Sequence, residues 1–325
     1  MNLPLKLALR AGYFMPRPLP QLLAGREPAV LLYHGTPRSS IRAGKYGFDG
    51  EDLERQIVHL QRHFEFIGPQ ALTRPRSVWA RKAVLLTFDD GLRSNAAVAA
   101  PILRKHRVPA IFFVSCRHVG TDRVLWFSYL IALEHGFRHA GFTFRGQYQD
   151  MSAGRRKETV GRLSEALLGL TPHPAAMYAA IENELPPLES FLPREEIEDR
   201  YAGLTEEQVA GLAGEELFSV GCHTVDHPFL TRCAPPEAIR QIVENKRHLE
   251  RICGKAVTDI SYPAGDYDES ILTACRNLGM RSGYAVDPRV NSDPRLEVPR
   301  AGIYQPYPEV AAFKAMWARR RANRG

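Results

Sequence analysis

The sequence predicts an α/β fold in which a parallel sheet, open or closed as a (β/α) barrel, is covered by helices. Three observations predict it. Short, continuously apolar runs recur along the chain. Each is followed by turn residues and then by a helix-like segment. The polar residues of chemical interest stand at the C-terminal ends of those runs. Runs that are apolar at every position suit strands covered on both faces, which are almost always parallel strands with helices against them.

Taken in order, "AVLLYHG" (29–35) is the first such run, and "GEDLERQIVHLQRHF" (50–64) supplies the helix after it. The apolar residues of that segment return at three- and four-residue spacing, as one buried helical face requires. "AVLLTFDDG" (83–91) leads into "SNAAVAAPILRKH" (94–106), and "AIFFVS" (110–115) follows. Later come "LFSVGCHT" (217–224) with "PPEAIRQIVENKRHLERICG" (235–254), and "DISYPAG" (259–265) with "DESILTACRNLG" (268–279). "RSGYAV" (281–286) closes the series.

Residues 121–215 interrupt this rhythm. They carry helical patterns, "RKETVGRLSEALLGL", "PAAMYAAIENEL" and "PREEIEDRYAG", with no convincing strand among them. The expectation is a helical insertion on a single domain spanning 29–313, preceded by a lead-in (1–28) and followed by a basic tail (314–325). No repeat or low-complexity tract is evident.

Bulk composition narrows the class. The chain has 325 residues, of which 44% are hydrophobic and 24% charged, enough for a sizeable core in a water-facing protein. No run approaches the roughly 18–20 apolar residues of a membrane span. In "MNLPLKLALRAGYFMPRPLPQLLAG", Lys6 and Arg10 break the apolar run, and no small-residue cleavage site closes it. A cytoplasmic location is therefore expected, with peripheral contact at the inner membrane surface as its variant. The five cysteines are odd in number and show no CxxC spacing, so neither a disulfide framework nor a zinc knuckle is indicated. The net charge of +7 is concentrated in "KAMWARRRANRG" (314–325), with five basic residues and no acid. Such a tail is either a solvated terminus or a contact for anionic lipid. No nucleic-acid module accompanies it, and no stable protein partner is expected.

The chemistry starts from a puzzle. Asp89 and Asp90 stand side by side at the end of an apolar run, where two buried carboxylates are costly unless something pairs with them. Further on, "GCHTVDHP" holds His223 and His227 four residues apart on a strand-to-loop turn. Two imidazoles and a carboxylate make a facial set for a divalent metal with positions left open for water and substrate. Either Asp89 or Asp90 can supply that carboxylate. The plainer reading of each motif is a polar turn and a pair of satisfied histidines. His34, after "AVLLY", stands at an equivalent strand end, where α/β barrels build their sites; a packed strand-end histidine is the alternative. Trp126 in "VLWFSYL" is either an aromatic platform for a sugar ring or a core residue. Cys222 reads as a small buried filler.

"TFDDG" followed by "HTVDH" resembles the NodB-homology polysaccharide deacetylases, carbohydrate esterase family 4, over roughly residues 29–118 and 205–305. The resemblance implies a distorted (β/α) barrel of about seven strands. It further implies that Asp89 is the general base and that Asp90, His223 and His227 bind the metal, zinc first, with cobalt and nickel as the alternatives. The family's third motif is usually RxPxG; here it reads Ser261-Tyr262-Pro263-Ala264-Gly265, with serine in place of arginine. A "YPxG" form resembles the exopolysaccharide and poly-N-acetylglucosamine deacetylase branch, in which an N-terminal "YH" strand supplies the acid histidine. "LLYHGTP" then makes His34 the general acid. Tyr262, Pro263 and Gly265 become substrate-side residues, with turn-shaping as the plainer role. The late "PR", Pro299-Arg300, offers Arg300 as the replacement for the missing arginine.

The expected activity is metal-dependent N-deacetylation of an N-acetylated amino sugar in a polysaccharide, oligosaccharide or lipid-linked glycan. A glycan-binding relative without turnover, and a metal-dependent hydrolase of small cyclic amides or imides, are the competing classes.

Overall fold

The computed structural model describes residues 28–38, 49–73 and 82–321. The lead-in up to residue 27 and the last four residues of the basic tail lie outside the described residues. Eleven strands occur among those described: β1 (Ala29–Tyr33), β2 (Glu65–Phe66), β3 (Ala83–Phe88), β4 (Ala110–Val114), β5 (Gly141–Phe144), β6 (Gln147–Asp150), β7 (Phe218–Cys222), β8 (Asp259–Ser261), β9 (Ser282–Ala285), β10 (Val298–Pro299) and β11 (Ala301–Gly302).

The main sheet runs β10-β9-β8-β7-β4-β3-β1-β11 with every pair parallel, and β2 pairs with the start of β3. Its two ends belong to one segment. Val298 and Pro299 pair with Tyr284 and Ala285 of β9, while Ala301 and Gly302 pair with Leu31 and Leu32 of β1. The stretch Val298–Gly302 therefore acts as one split stave that closes the sheet on itself. Counted this way, β1, β3, β4, β7, β8, β9 and the split stave make a distorted barrel of seven strands, and Arg300 sits at the seam.

Strands β1, β3 and β4 are buried at every residue, as covering on both faces requires. Alternation then sorts their side chains. Val30, Leu85, Ile111 and Phe113 pack with Tyr284 in one apolar cluster inside the barrel. Leu31, Tyr33, Leu86, Phe88, Phe112 and Val114 pack outward against helical residues such as Leu53, Ile57 and Ile242. Asp89 continues the inward phase of Leu85 and Thr87, so the strand delivers its carboxylate to the barrel mouth.

The helices follow their sequence signals. Gly50–Gln61 starts at Asp49 with a capping box completed by Asp52, and Glu269–Asn277 is capped by Asp268. In "SNAAVAAPILRKH" the predicted helix is split into a π turn, Asn95–Ala99, and a helix, Ala100–Lys105. Pro101 accounts for the break, because it lacks an N–H and its ring crowds the carbonyl four residues earlier.

Two expectations for residues 121–215 need correction. The segment is not purely helical: β5 and β6 form an antiparallel hairpin in which Phe144 pairs with Gln147. Its two turn residues, Arg145 and Gly146, have φ of 50° and 75°, the left-handed pair that a tight two-residue hairpin requires. Arginine in place of the usual Asn or Asp hid this turn. The second correction concerns the boundary. Val209, Leu212 and Ala213 of the helix Glu206–Gly214 pack into the barrel core, whereas residues from Val124 to Tyr201 form an apolar cluster of their own. The insertion thus ends before this helix.

At the C-terminus, the helix Pro308–Arg321 runs through most of the segment expected to be a tail. Lys314 is half-buried: its Nζ bonds to the Gly302 carbonyl and lies 5.5 Å from the centre of the Tyr304 ring, and burial lowers its pKa. None of the described helices is long and apolar enough to cross a membrane.

Candidate metal centre and active site

Asp90 leaves β3 with φ of 77°, a conformation that aspartate tolerates better than most residues, and Gly91 follows at 76°. The kink separates the two carboxylates, with Asp89 held on the strand phase and Asp90 turned towards β7. The Asp90 carbonyl is fixed by the His118 Nε2–H at 2.8 Å and the Ser115 N–H at 3.3 Å. His118 is fully buried, and that burial lowers its pKa to about 4, so it is a neutral donor.

His223 ends β7. Its Nδ1–H donates to the Ser261 carbonyl at 2.8 Å, which fixes the tautomer and turns the Nε2 lone pair inward. Its backbone N–H donates to Asn245 Oδ1, and the Asn245 amide donates to the Val114 carbonyl. His227 follows on a tight loop in which Thr224 and His227 both have positive φ, 66° and 52°. Thr224 Oγ1 accepts the His227 N–H at 3.1 Å.

These turns bring Asp90, His223 and His227 together, with one ligand atom from each lying within 4.8 Å of the others. Asp90 Oδ1 is 3.5 Å from His223 Nε2 and 3.4 Å from His227 Nε2. Atoms each about 2.0–2.1 Å from a tetrahedral zinc lie about 3.3 Å apart. The observed separations therefore suit an ion between them and are long for charged hydrogen bonds. Asp90 Oδ2 is buried without a hydrogen-bond partner, so the carboxylate holds ligand capacity that the protein itself does not satisfy. The residues present fit a divalent cation.

Asp89 is gripped separately. Arg300 Nη1 and Nη2 donate to its two carboxylate oxygens at 2.7 and 2.8 Å, and Ser261 Oγ donates to Oδ2 at 3.0 Å. Arg300 is 4% exposed and also donates to Ser261 Oγ and Thr87 Oγ1. The Arg300 guanidinium is thus engaged with Asp89, Ser261 and Thr87. Burial alone would raise the Asp89 pKa, but Arg300 and His223 outweigh it and hold the carboxyl below its usual range. Asp90 behaves likewise: burial opposes its charge, and the three surrounding histidines more than offset that. His223 is opposed by burial yet raised by the two aspartates, whereas burial dominates at His227 and lowers it to about 3.

His34 follows β1 and is half-buried within electrostatic reach of Asp89, Asp90, Arg300 and His223, with Tyr304 stacked on its ring at 5.7 Å. Burial lowers its pKa, against the pull of the aspartates, so it rests neutral.

The expected substrate-side residues lie elsewhere than expected. Tyr262 is buried in the outer core, stacked on Tyr267 at 4.3 Å, with its hydroxyl donating to the Leu296 carbonyl at 3.0 Å. Pro263 and Gly265 are buried turn residues, and Gly265 has φ of 65°. Trp126 is 6% exposed, and its Nε1–H donates to the His227 carbonyl at 3.0 Å, so it offers no open platform. Its neighbour Phe127, which sequence reasoning passed over, faces His227 with ring centroids 4.6 Å apart. His118 and Asn245 were missed as well. His118 stands just beyond a strand end, the same signal that marked His34, whereas Asn245 sits in mid-helix and carries no such mark.

The polysaccharide deacetylase family profile matches residues 78–165 and 174–283, more than half of the chain. A chitooligosaccharide deacetylase of Azorhizobium caulinodans is 32% identical over 131 residues, 39% of this chain and 60% of that protein. Another from Sinorhizobium fredii is 34% identical over 80 residues, 24% of this chain and 37% of that protein. The chain thus spans less than two thirds of the length of these curated relatives. Among solved structures, IcaB from Ammonifex degensii superposes with a TM-score of 0.57 at 19% identity, covering 90% of this chain and 97% of that one. The Streptococcus pyogenes deacetylase PplD, solved with acetate, gives 0.56 at 19% identity over 90% and 99%. At that identity the likeness concerns the fold. With the profile matched across both halves of the site, the chain belongs to the polysaccharide deacetylase family.

Proposed function

We propose that this protein hydrolyses the N-acetyl group of an amino sugar within an oligosaccharide, polysaccharide or lipid-linked glycan, using a divalent cation, zinc in the first place. One observation supports the reading above the others: a ready carboxylate, Asp89, stands beside a three-ligand cluster, Asp90, His223 and His227, in which Asp90 Oδ2 is buried and unpaired. Both named relatives are chitooligosaccharide deacetylases, which agrees with an N-acetylated substrate.

A cation held by Asp90, His223 and His227 supplies Lewis-acid polarisation of the acyl carbonyl and acidifies water at the site. The protein's own part is positional. Arg300 keeps the Asp89 carboxylate ionised and aimed, so that it accepts a proton from the attacking water. The same grip disfavours keeping that proton, because protonated Asp89 loses its ion pair. The amide nitrogen must be protonated before it leaves, and His34 is the donor in this scheme. Since His34 rests neutral, the proton it delivers to nitrogen is the one that Asp89 takes from the attacking water and then releases, which leaves Asp89 ionised and His34 neutral again.

The test is acetate release from short N-acetylglucosamine oligomers, measured before chelation, after chelation and after adding back zinc. Release that chelation abolishes and zinc restores is the expected result. Release unaffected by exhaustive chelation contradicts the metal-dependent reading.

A further inference from the structure

The two histidines of the cluster are held by different parts of the protein. His223 is oriented by the barrel, through Ser261 on β8 and Asn245 on the helix Pro235–Cys253. His227 sits at the end of the loop Thr224–His227, whose two left-handed residues are strained and cannot pair their own carbonyls as a helix would. All four carbonyls of that loop are nevertheless satisfied from outside. Cys116 N–H donates to Thr224 and Arg117 N–H to Val225, at 3.3 and 3.0 Å. The next two donors come from the insertion: the Tyr178 hydroxyl donates to the Asp226 carbonyl at 2.9 Å, and the Trp126 indole donates to that of His227 at 3.0 Å. Phe127 lies against the His227 imidazole, and Arg117 stacks 3.7 Å over Tyr178 while pairing with Asp226 at 3.1 Å.

We infer that the insertion is the positioning element for His227, with Trp126 and Tyr178 as positioning residues through which it sets the affinity of the metal centre. The inference rests on the metal reading above. A strained loop keeps its geometry only while its surroundings over-determine it. Removing either donor leaves a carbonyl of the ligand loop unpaired and lets His227 Nε2 drift from Asp90.

The experiment is a titration of the full chain, stripped of metal, with zinc against a chromophoric chelator. The wild type is compared with Trp126→Phe, Tyr178→Phe and Tyr129→Phe, and metal-free thermal melts are run alongside. Tyr129 is the control, because its hydroxyl donates to the Pro186 carbonyl within the insertion, away from the loop. Trp126→Phe and Tyr178→Phe are expected to weaken zinc binding about tenfold or more, the scale of lost outer-shell support, with Tyr129→Phe unchanged. Tyr178→Phe removes a single oxygen, so the test holds even if the indole is needed for folding. Unchanged affinity in both loop variants, or an equal loss in all three, overturns the inference. Failure of the wild type to bind zinc overturns the metal reading itself and this one with it.

Discussion

Arg300 grips both carboxylate oxygens of Asp89, at 2.7 and 2.8 Å, from the seam where the barrel closes. The pair is almost fully buried, and its members lie 211 residues apart in sequence. Arg300→Lys keeps the charge but loses the two-pronged fork. It is expected to lower kcat about tenfold or more while zinc stays bound, read by steady-state kinetics with metal analysis. Arg300→Ala leaves a buried carboxylate uncompensated and is expected to cost about 3–5 kcal/mol in unfolding free energy. Full activity in Arg300→Lys would show that Asp89 needs no orientation.

His34 separates the amide from easier substrates. An amine leaves only once protonated, whereas the leaving group of an activated ester does not need the proton. His34→Ala is expected to reduce deacetylation of N-acetylglucosamine oligomers about a hundredfold or more and to affect a nitrophenyl acetate far less. Equal losses on both substrates would remove His34 from the acid role.

Glu297 is a structural carboxylate that ties the loop at residues 290–292 to Tyr267. Its Oε1 accepts the N–H groups of Val290 and Asn291 at 2.9 and 3.0 Å and the Tyr267 hydroxyl at 2.8 Å; its Oε2 accepts the Ser292 N–H at 2.9 Å. Burial opposes its charge, but these donors outweigh it and lower its pKa below the ordinary 4.5. A depressed carboxyl contributes stability that is fully present above its unfolded pKa and lost as pH falls through the lower folded value. Urea unfolding of the wild type should therefore lose stability as pH drops below about 4.5. Glu297→Gln should be less stable at pH 7 and show a shallower acid slope. Parallel pH profiles for the two proteins would contradict this.

The sequence carried the barrel and the strand-end chemistry, because both follow from local pattern. Largely apolar runs marked β1, β3 and β4, and each ended at a polar residue that the strand geometry delivers to one rim. The contacts that complete the site depend on tertiary closure. Arg300 finds Asp89 only because Val298–Gly302 splits between β9 and β1. Trp126 and Tyr178 reach backbone carbonyls, which leave no side-chain pattern to read, so Trp126 looked like a sugar platform. Tyr262 misled for a related reason: a motif tyrosine turned into the core is indistinguishable in sequence from one turned outward. The hairpin at Arg145-Gly146 was hidden by its unusual first turn residue.

The central claim is that Asp90, His223 and His227 hold one divalent cation beside a base that is not itself a ligand. Metal analysis of stripped and zinc-reloaded protein tests it most directly, with Asp89→Asn and His223→Ala compared with the wild type. The account predicts one zinc per chain in the wild type and in Asp89→Asn, the latter deacetylating about a hundredfold more slowly or worse, and little or none in His223→Ala. Stoichiometric zinc retained by His223→Ala, or lost from Asp89→Asn, would contradict it.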